Sequence, residues 1–268
     1  MKRSFIISAV LLLSLALCAC GGKTAPVAAP SQSADVVLSE QETAVSGDDT
    51  AGATGEENTA ERTVHVTTVD EFLNALDSNT VIQIDTDLLD LSAAENYGES
   101  GGGCYRWEEA YDGPALVIYG VDHLTIQGQG TDKTVIQAVP RYADVLSFLN
   151  CSNVHIGNLT AGHVREEPGS CTGDVLEFSS CENVTIEKCG LFGCGVTGIV
   201  TMGCKDFAVR LTEIYECSWA GALLTNSRNI CFEQCSVHDC GMNNIILTES
   251  SSASWDEKSL EDGDNLIA

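Results

Sequence analysis

Residues 184–191 read Val184-Thr185-Ile186-Glu187-Lys188-Cys189-Gly190-Leu191, and the same register returns twice at intervals of 23 residues. The repeats are Phe207-Ala208-Val209-Arg210-Leu211-Thr212-Glu213-Ile214 and Ile230-Cys231-Phe232-Glu233-Gln234-Cys235-Ser236-Val237. Cys194, Cys217 and Cys240 hold one further column. Upstream, Val154 and Leu124 continue the series at a spacing of 30. A fixed period of this size is the mark of stacked coils, none of which buries its apolar side without neighbours.

Each coil carries a short alternating run: Leu124/Ile126, Val154/Ile156, Val184/Ile186, Phe207/Val209 and Ile230/Phe232. A second run precedes each: Leu116/Ile118, Leu146/Phe148, Leu176/Phe178, Ile199/Thr201 and Ala222/Leu224. β-Branched and aromatic residues between Gly, Asn and Ser bends are what strands and turns require. Asn153, Asn183, Asp206 and Asn229 recur once per coil, placed to form a side-chain ladder at the strand spacing of about 4.7–4.9 Å. The segment 184–191 also fits a leucine-rich repeat core. That fold needs an outer arc with its own leucines, whereas here the rest of the coil is glycines and β-branched residues that disfavour helix. The pattern of three short strands per coil, turn asparagines and stacked cysteines over 116–250 resembles the right-handed parallel β-helices of the pectate lyase-like superfamily. The expected fold is therefore all-β: a right-handed parallel β-helix of about 5–6 coils with a short N-terminal capping helix.

The chain has 268 residues and a formal charge of −26, which argues against nucleic acid as a partner, since that needs a basic surface. Residues 1–19 read as a targeting segment: Lys2 and Arg3 precede an apolar run from Phe5 to Leu17. The sequence Leu17-Cys18-Ala19-Cys20-Gly21 resembles a bacterial lipobox. That resemblance implies lipidation of Cys20 and a membrane-anchored, extracytoplasmic protein of the cell envelope. Residues 20–62, rich in Ala, Ser, Thr, Gly and acidic side chains, lack the apolar surface to offset the entropy of ordering and read as a linker. Residues 63–92 read as the N-terminal cap, with a helix over 68–76 begun by the capping box Thr68-x-x-Glu71. Coils occupy 93–250, and 251–268 forms an acidic tail.

Setting aside Cys18 and Cys20, eleven cysteines lie in the domain. Column position accounts for most of them as small buried side chains, mostly free thiols, with oxidised pairs as the alternative. Cys231, Cys235, His238 and Cys240 include zinc-ligand types without the familiar C-x2-C spacing. Cys104 and Cys171 lie in irregular loops and are the specific disulfide candidate.

The 30-residue coils place enlarged loops at about 93–115, 132–145 and 162–175, stacked along one edge. Per-coil insertions commonly build the binding face of a solenoid. The candidate ligand-binding residues are Arg106, Trp107, Glu108, Tyr111, Tyr142, Asp144, His163 and Glu167: aromatic faces for sugar rings, charged groups for hydroxyls or uronates. The superfamily resemblance suggests two chemistries. For a lyase, Arg141 or Arg165 is the candidate base, with Asp144, Glu166, Glu167 or Asp174 as ligands to a cation such as Ca2+. For a hydrolase, Glu108, Glu109, Glu166 and Glu167 offer carboxylate pairs; Arg141, Arg165 and Glu166 are the named catalytic candidates. The polygalacturonase pattern, with its N-T-D, D-D, G-H-G and R-I-K elements, is not present. The expected partner is an extracellular polysaccharide, bound or processed; the alternative is a non-catalytic envelope protein or adhesin.

Overall fold

In the computed structural model, residues 61–165, 172–193 and 196–256 are described. Three sheets face one another around a single core, each complete coil contributing one strand to each sheet. One regular coil runs Glu182–Glu187 in sheet A, Gly190–Phe192 in sheet B and Thr197–Met202 in sheet C. The next runs Lys205–Arg210, Glu213–Tyr215 and Ala220–Thr225, and a third Arg228–Glu233, Ser236–His238 and Met242–Thr248. Among the described residues, sheet A has eight strands, from Arg62–Val66 to Ala253–Trp255, and sheet B has six, beginning with Leu88–Asp90. Sheet C is parallel from Gly113–Tyr119 onward and is closed at its N-terminal edge by the antiparallel strand Tyr105–Ala110.

Register follows the sequence columns. Val154 pairs with Val184, Val184 with Phe207 and Phe207 with Ile230. Leu191, Ile214 and Val237 align in sheet B, and Leu146, Leu176, Ile199 and Ala222 in sheet C. Because strand side chains alternate, one face of every strand is committed to the core and a one-residue slip would invert it. The core is accordingly continuous, from Phe72 and Ile82 through Phe148, Phe178 and Phe207 to Phe232. No outer arc of leucines is present among the described residues, and the leucine-rich repeat alternative falls.

The capping helix spans Val69–Ala75. Thr68 Oγ1 accepts from Glu71 N at 3.2 Å, and Glu71 Oε2 accepts from Thr68 N at 3.3 Å. Hydrogen bonds from Thr67 hold the Glu71 carboxyl below its ordinary value. Val69, Phe72, Leu73 and Ala75 are the helix's buried face. No helix among the described residues is long and apolar enough to cross a membrane.

Cys151, Cys181 and Cys204 are buried free thiols. Each donates to the preceding coil: Cys151 Sγ to Ile118 O at 3.7 Å, Cys181 Sγ to Phe148 O at 3.5 Å, Cys204 Sγ to Phe178 O at 3.3 Å. Cys231, Cys235, Cys240 and His238 do not converge: Cys235 Sγ is buried against Val209 O, whereas Cys231 Sγ faces Glu233. Of the expected Cys104–Cys171 pair, Cys104 is a thiol 4.0 Å from Asp77 Oδ1, beside the turn that ends the capping helix. Cys171, Cys194 and Cys20 lie outside the described residues.

The polar ladder forms in two pieces. Asn183 Nδ2 donates to Asn153 Oδ1, and Asn153 Nδ2 to Asp122 Oδ1 at 2.6 Å; Asn229 Nδ2 donates separately to Asp206 Oδ1. Asn153, Asn183, Asp206 and Asn229 all have φ of 53–56°, so each column residue also turns the chain. Asn183→Ala is expected to cost about 1–3 kcal/mol, from the left-handed backbone and the lost bond together. Asn183→Gly, which relieves the backbone, should lose less. Thermal unfolding of both variants checks this; equal losses would mean the turn conformation contributes nothing.

The second enlarged loop, expected as 132–145, is two segments. Val135–Ala138 is a sheet B strand paired with Thr160–His163. Ile136 and Ala161 fill the Leu191 column there, which pulls 135–138 and 160–163 out of the loops and into the scaffold.

Candidate functional site

The loops that follow sheet B are tied to one another coil by coil. Asp112, in the turn of the first hairpin, accepts from Arg141 N at 2.7 Å and Tyr142 N at 3.0 Å. Arg141 O in turn accepts from Thr172 N at 2.9 Å and Gly173 N at 3.0 Å. A Cβ on Gly173 would lie 2.1 Å from Ala143 O, so only glycine permits this approach. The next residue, Asp174, is thereby set against Asp144, its backbone N–H donating to Asp144 Oδ1 at 2.7 Å. Ser147 Oγ donates to the other oxygen of Asp144 at 2.8 Å.

Strand pairing supplies the rest. Arg106, Val117, Ser147 and Glu177 occupy one row across sheet C, on the face opposite the core residues Phe148 and Phe178. A groove of about 260 Å³ runs over this face, lined by Arg106, Glu108, Asp144, Ser147, Glu177 and Ser179 among others. Arg106 Nε donates to Glu108 Oε1 at 2.7 Å and its guanidinium lies 5.1 Å from the Tyr119 ring centroid.

Asp144, Asp174 and Glu177 each place an oxygen within 4.8 Å of the other two. Three carboxylates this close resist simultaneous ionisation. Burial, then the charge of Asp144, pushes Asp174 up to about 7. Burial, then the hydrogen bond and charge of Asp144, pushes Glu177 up to about 8. Their ordinary values are 3.8 and 4.5. Below those values folded and unfolded chains are both protonated; above them the unfolded chain ionises while the folded one keeps its protons. Stability of the ion-free protein therefore falls as pH rises from about 5 to about 8. The melting temperature in chelator is expected to drop across that interval and to recover when calcium is added at pH 8. A flat profile would contradict the arrangement.

The donor set fits a hard cation. Calcium takes oxygen ligands at about 2.3–2.6 Å, so two ligands of one ion lie no more than about 5 Å apart, and the three carboxylates satisfy this. Asp144, Asp174 and Glu177 would hold it, and the ion would place positive charge in the groove.

Of the residues expected at the site, Arg106, Glu108 and Asp144 are brought together. Trp107 is not: in the hairpin it alternates to the opposite face and packs edge-on against Tyr97 and Tyr105, with centroids 5.0 and 6.5 Å away. His163 is fully buried in its sheet B strand, Nε2 donating to Ala143 O at 2.8 Å, and burial lowers its pKa. It supports the Asp144 corner and is closed to ligand. Arg165 points elsewhere, paired with Glu216 at 2.8 Å and lying over Phe192 at 4.6 Å. Tyr111 and Tyr142 form an exposed pair, and Arg141 contributes backbone contacts to the loop stack. Glu166 and Glu167 lie outside the described residues.

Glu177 escaped sequence reasoning, although a signal existed. Asp144-Val145-Leu146-Ser147-Phe148 and Asp174-Val175-Leu176-Glu177-Phe178 repeat at 30 residues, placing the aspartates in one column and Ser147 and Glu177 in another.

A chain wound coil by coil into three parallel sheets around one core is a right-handed parallel β-helix protein. The chain belongs to the right handed beta helix region family, whose model matches residues 115–260. Among solved structures it is similar to a glycosyl hydrolase candidate from Parabacteroides merdae, at 10% identity and a TM-score of 0.37, over 74% of this chain and 95% of that one. It is also similar to an alginate lyase from a Paenibacillus species, at 10% identity and a TM-score of 0.33, over 78% and 98%. These likenesses concern the fold alone. No curated protein matches the sequence.

Proposed function

We propose that the protein is a lipid-anchored, extracytoplasmic β-helix protein that binds an acidic polysaccharide along the outer face of sheet C. The carrying observation is the meeting of Asp144, Asp174 and Glu177 within 4.8 Å, in a groove that Arg106 also lines. A cation on the carboxylates and the Arg106 guanidinium offer two positive groups to a uronate, one through oxygen coordination and one through charge-assisted hydrogen bonds.

Eliminative cleavage is the second reading. A lyase needs a neutralised uronate carboxylate and a base for its α-proton, and Arg106 shares the groove with the cation ligands. Titration calorimetry with polygalacturonate and alginate tests the binding: affinity is expected with calcium and none with chelator. Ultraviolet absorbance of unsaturated ends, followed on the same mixtures, separates a lyase from a binder. Calcium-independent binding, or no binding to either polymer, would sink the proposal. The anchor rests on the Leu17–Cys20 pattern; Cys20→Ser should release the protein from membranes.

A further inference from the structure

Cys217 and Cys240 lie at equivalent points of successive coils, each two residues past a sheet B strand. Those strands pair Tyr215 with His238, and just beyond them Gly241 N donates to Cys217 O at 2.9 Å. Both side chains take the same course, Cys217 Sγ donating to Tyr215 O at 3.7 Å and Cys240 Sγ to His238 O at 3.3 Å. Their Cα atoms are therefore one strand spacing apart, about 4.7–4.9 Å, inside the span of about 4.4–6.8 Å that a disulfide bridges.

Burial separates the two thiols. Cys217 is closed off at 1% exposure, whereas Cys240 is only partly buried. The Cys217 side chain hydrogen-bonds the Cys240 sulfur and brings it down to about 7, against the effect of burial. The same contact, with burial, pushes Cys217 up. His238, whose ring nitrogens lie 2.8 Å from Glu213 Oε1 and Asp239 Oδ2, adds positive charge that also favours the Cys240 thiolate. An accessible thiol that ionises near neutral pH is the attacking group in thiol–disulfide exchange, and a neighbouring thiol resolves the mixed disulfide. The other described cysteines lack one feature or the other. Cys151, Cys181, Cys189, Cys204 and Cys235 are buried. Cys231 is partly exposed but pairs in register with Ala208 and Ser254, and Cys104 Sγ faces Asp77.

We infer that Cys217 and Cys240 form a disulfide-exchange site, Cys240 attacking and Cys217 resolving, whose closure staples strand Ser236–His238 to the preceding coil. The substrate is a small-molecule disulfide. The Cys240 thiolate attacks one of its sulfurs, forming a mixed disulfide and expelling the first thiolate. Cys217 gives up its proton and attacks the Cys240 sulfur, expelling the second. Two cysteine thiols are oxidised, the small disulfide is reduced to two thiols, and the cysteine protons end on the leaving groups. Ser236–His238 is the last strand of sheet B among the described residues, so the bond falls at an edge where the stack can open.

The test incubates the full chain with oxidised glutathione and maps the cysteines by non-reducing mass spectrometry. A Cys217–Cys240 link is expected, with a melting temperature higher by about 4–16 °C, the scale of one cross-link in a domain of this size. Dithiothreitol should reverse both. Cys217→Ser should leave glutathione on Cys240 with no such rise, and Cys240→Ser should give neither link nor rise. Serine suits these columns, since buried Ser227 follows Cys204 in one of them. Cys194 shares the Cys217 column but lies outside the described residues. A Cys194–Cys217 link, an unreacted Cys240, a glutathione adduct that persists on Cys240 of the wild type, or a link that leaves the melting temperature unchanged would each overturn the inference.

Discussion

Glu177→Gln is expected to weaken calcium binding by about a hundredfold, roughly 2.7 kcal/mol, and at the same time to raise the melting temperature of the ion-free protein at pH 8. The two effects have one cause. Glu177 lies on the outer face of its strand, where it meets Asp144 and Asp174 within 4.8 Å. With an ion bound, its negative charge is a ligand. Without one, the same charge faces Asp144, which is why burial and that neighbour push Glu177 up to about 8. Glutamine keeps the shape and removes the charge, so the ligand is lost and the repulsion with it. In a domain of this size each kcal/mol recovered is worth about 2–4 °C. Calorimetric calcium titration and thermal unfolding in chelator read the two halves independently. A variant that melts lower than wild type at pH 8 would show that the cluster is held by something other than an ion, and unchanged calcium affinity would remove Glu177 from the site.

Phe178→Ala is expected to be the most damaging single truncation of the scaffold among the described residues. Its ring is fully buried, stacks on Phe148 at 4.8 Å with an interplanar angle of 7°, and meets Phe207 edge-on at 4.9 Å. It therefore joins two successive coils of sheet C to a strand of sheet A. Phenylalanine truncations in cores cost about 3–5 kcal/mol, or about 6–20 °C at the conversion for a domain of this size. Phe178→Leu, which retains much of the volume, should cost well under half of that. Because Glu177 precedes Phe178 on the same strand, calcium affinity of the alanine variant should fall too, whereas Glu177→Gln loses affinity without loss of stability. A Phe178→Ala protein melting within a degree or two of wild type would mean the aromatic stack is not a structural centre.

Much of the scaffold was legible because a parallel ladder converts sequence spacing into contact. Once coils stack in register, Val184, Phe207 and Ile230 must touch, and so must Cys181 and Cys204. The capping box was legible for a local reason, since Thr68 and Glu71 satisfy each other within one turn. The stacking of enlarged loops was also legible, and Asp112, Arg141 and Gly173 do meet. What the loops do with their side chains was not. Arg106 and Trp107 are adjacent in sequence and face opposite ways, because the hairpin Tyr105–Tyr119 alternates. Arg165 turns to Glu216 and Phe192 instead of the groove. His163 lies in a loop by sequence spacing and in a buried strand by register, because Thr160–His163 pairs with Val135–Ala138.

The sequence by itself determined the coil, its register and its core, since period-2 alternation within strands and a fixed period between them leave one way to bury the apolar columns. Only the tertiary structure decided where charge gathers. Asp144 and Asp174 are 30 residues apart, and they meet because Gly173 lets one loop close onto the backbone of the other. Glu177 joins them from a strand whose inward neighbours had suggested nothing but packing. Electrostatic sites depend on distances of a few ångströms between side chains of different coils, and those distances exist only after the coils have stacked.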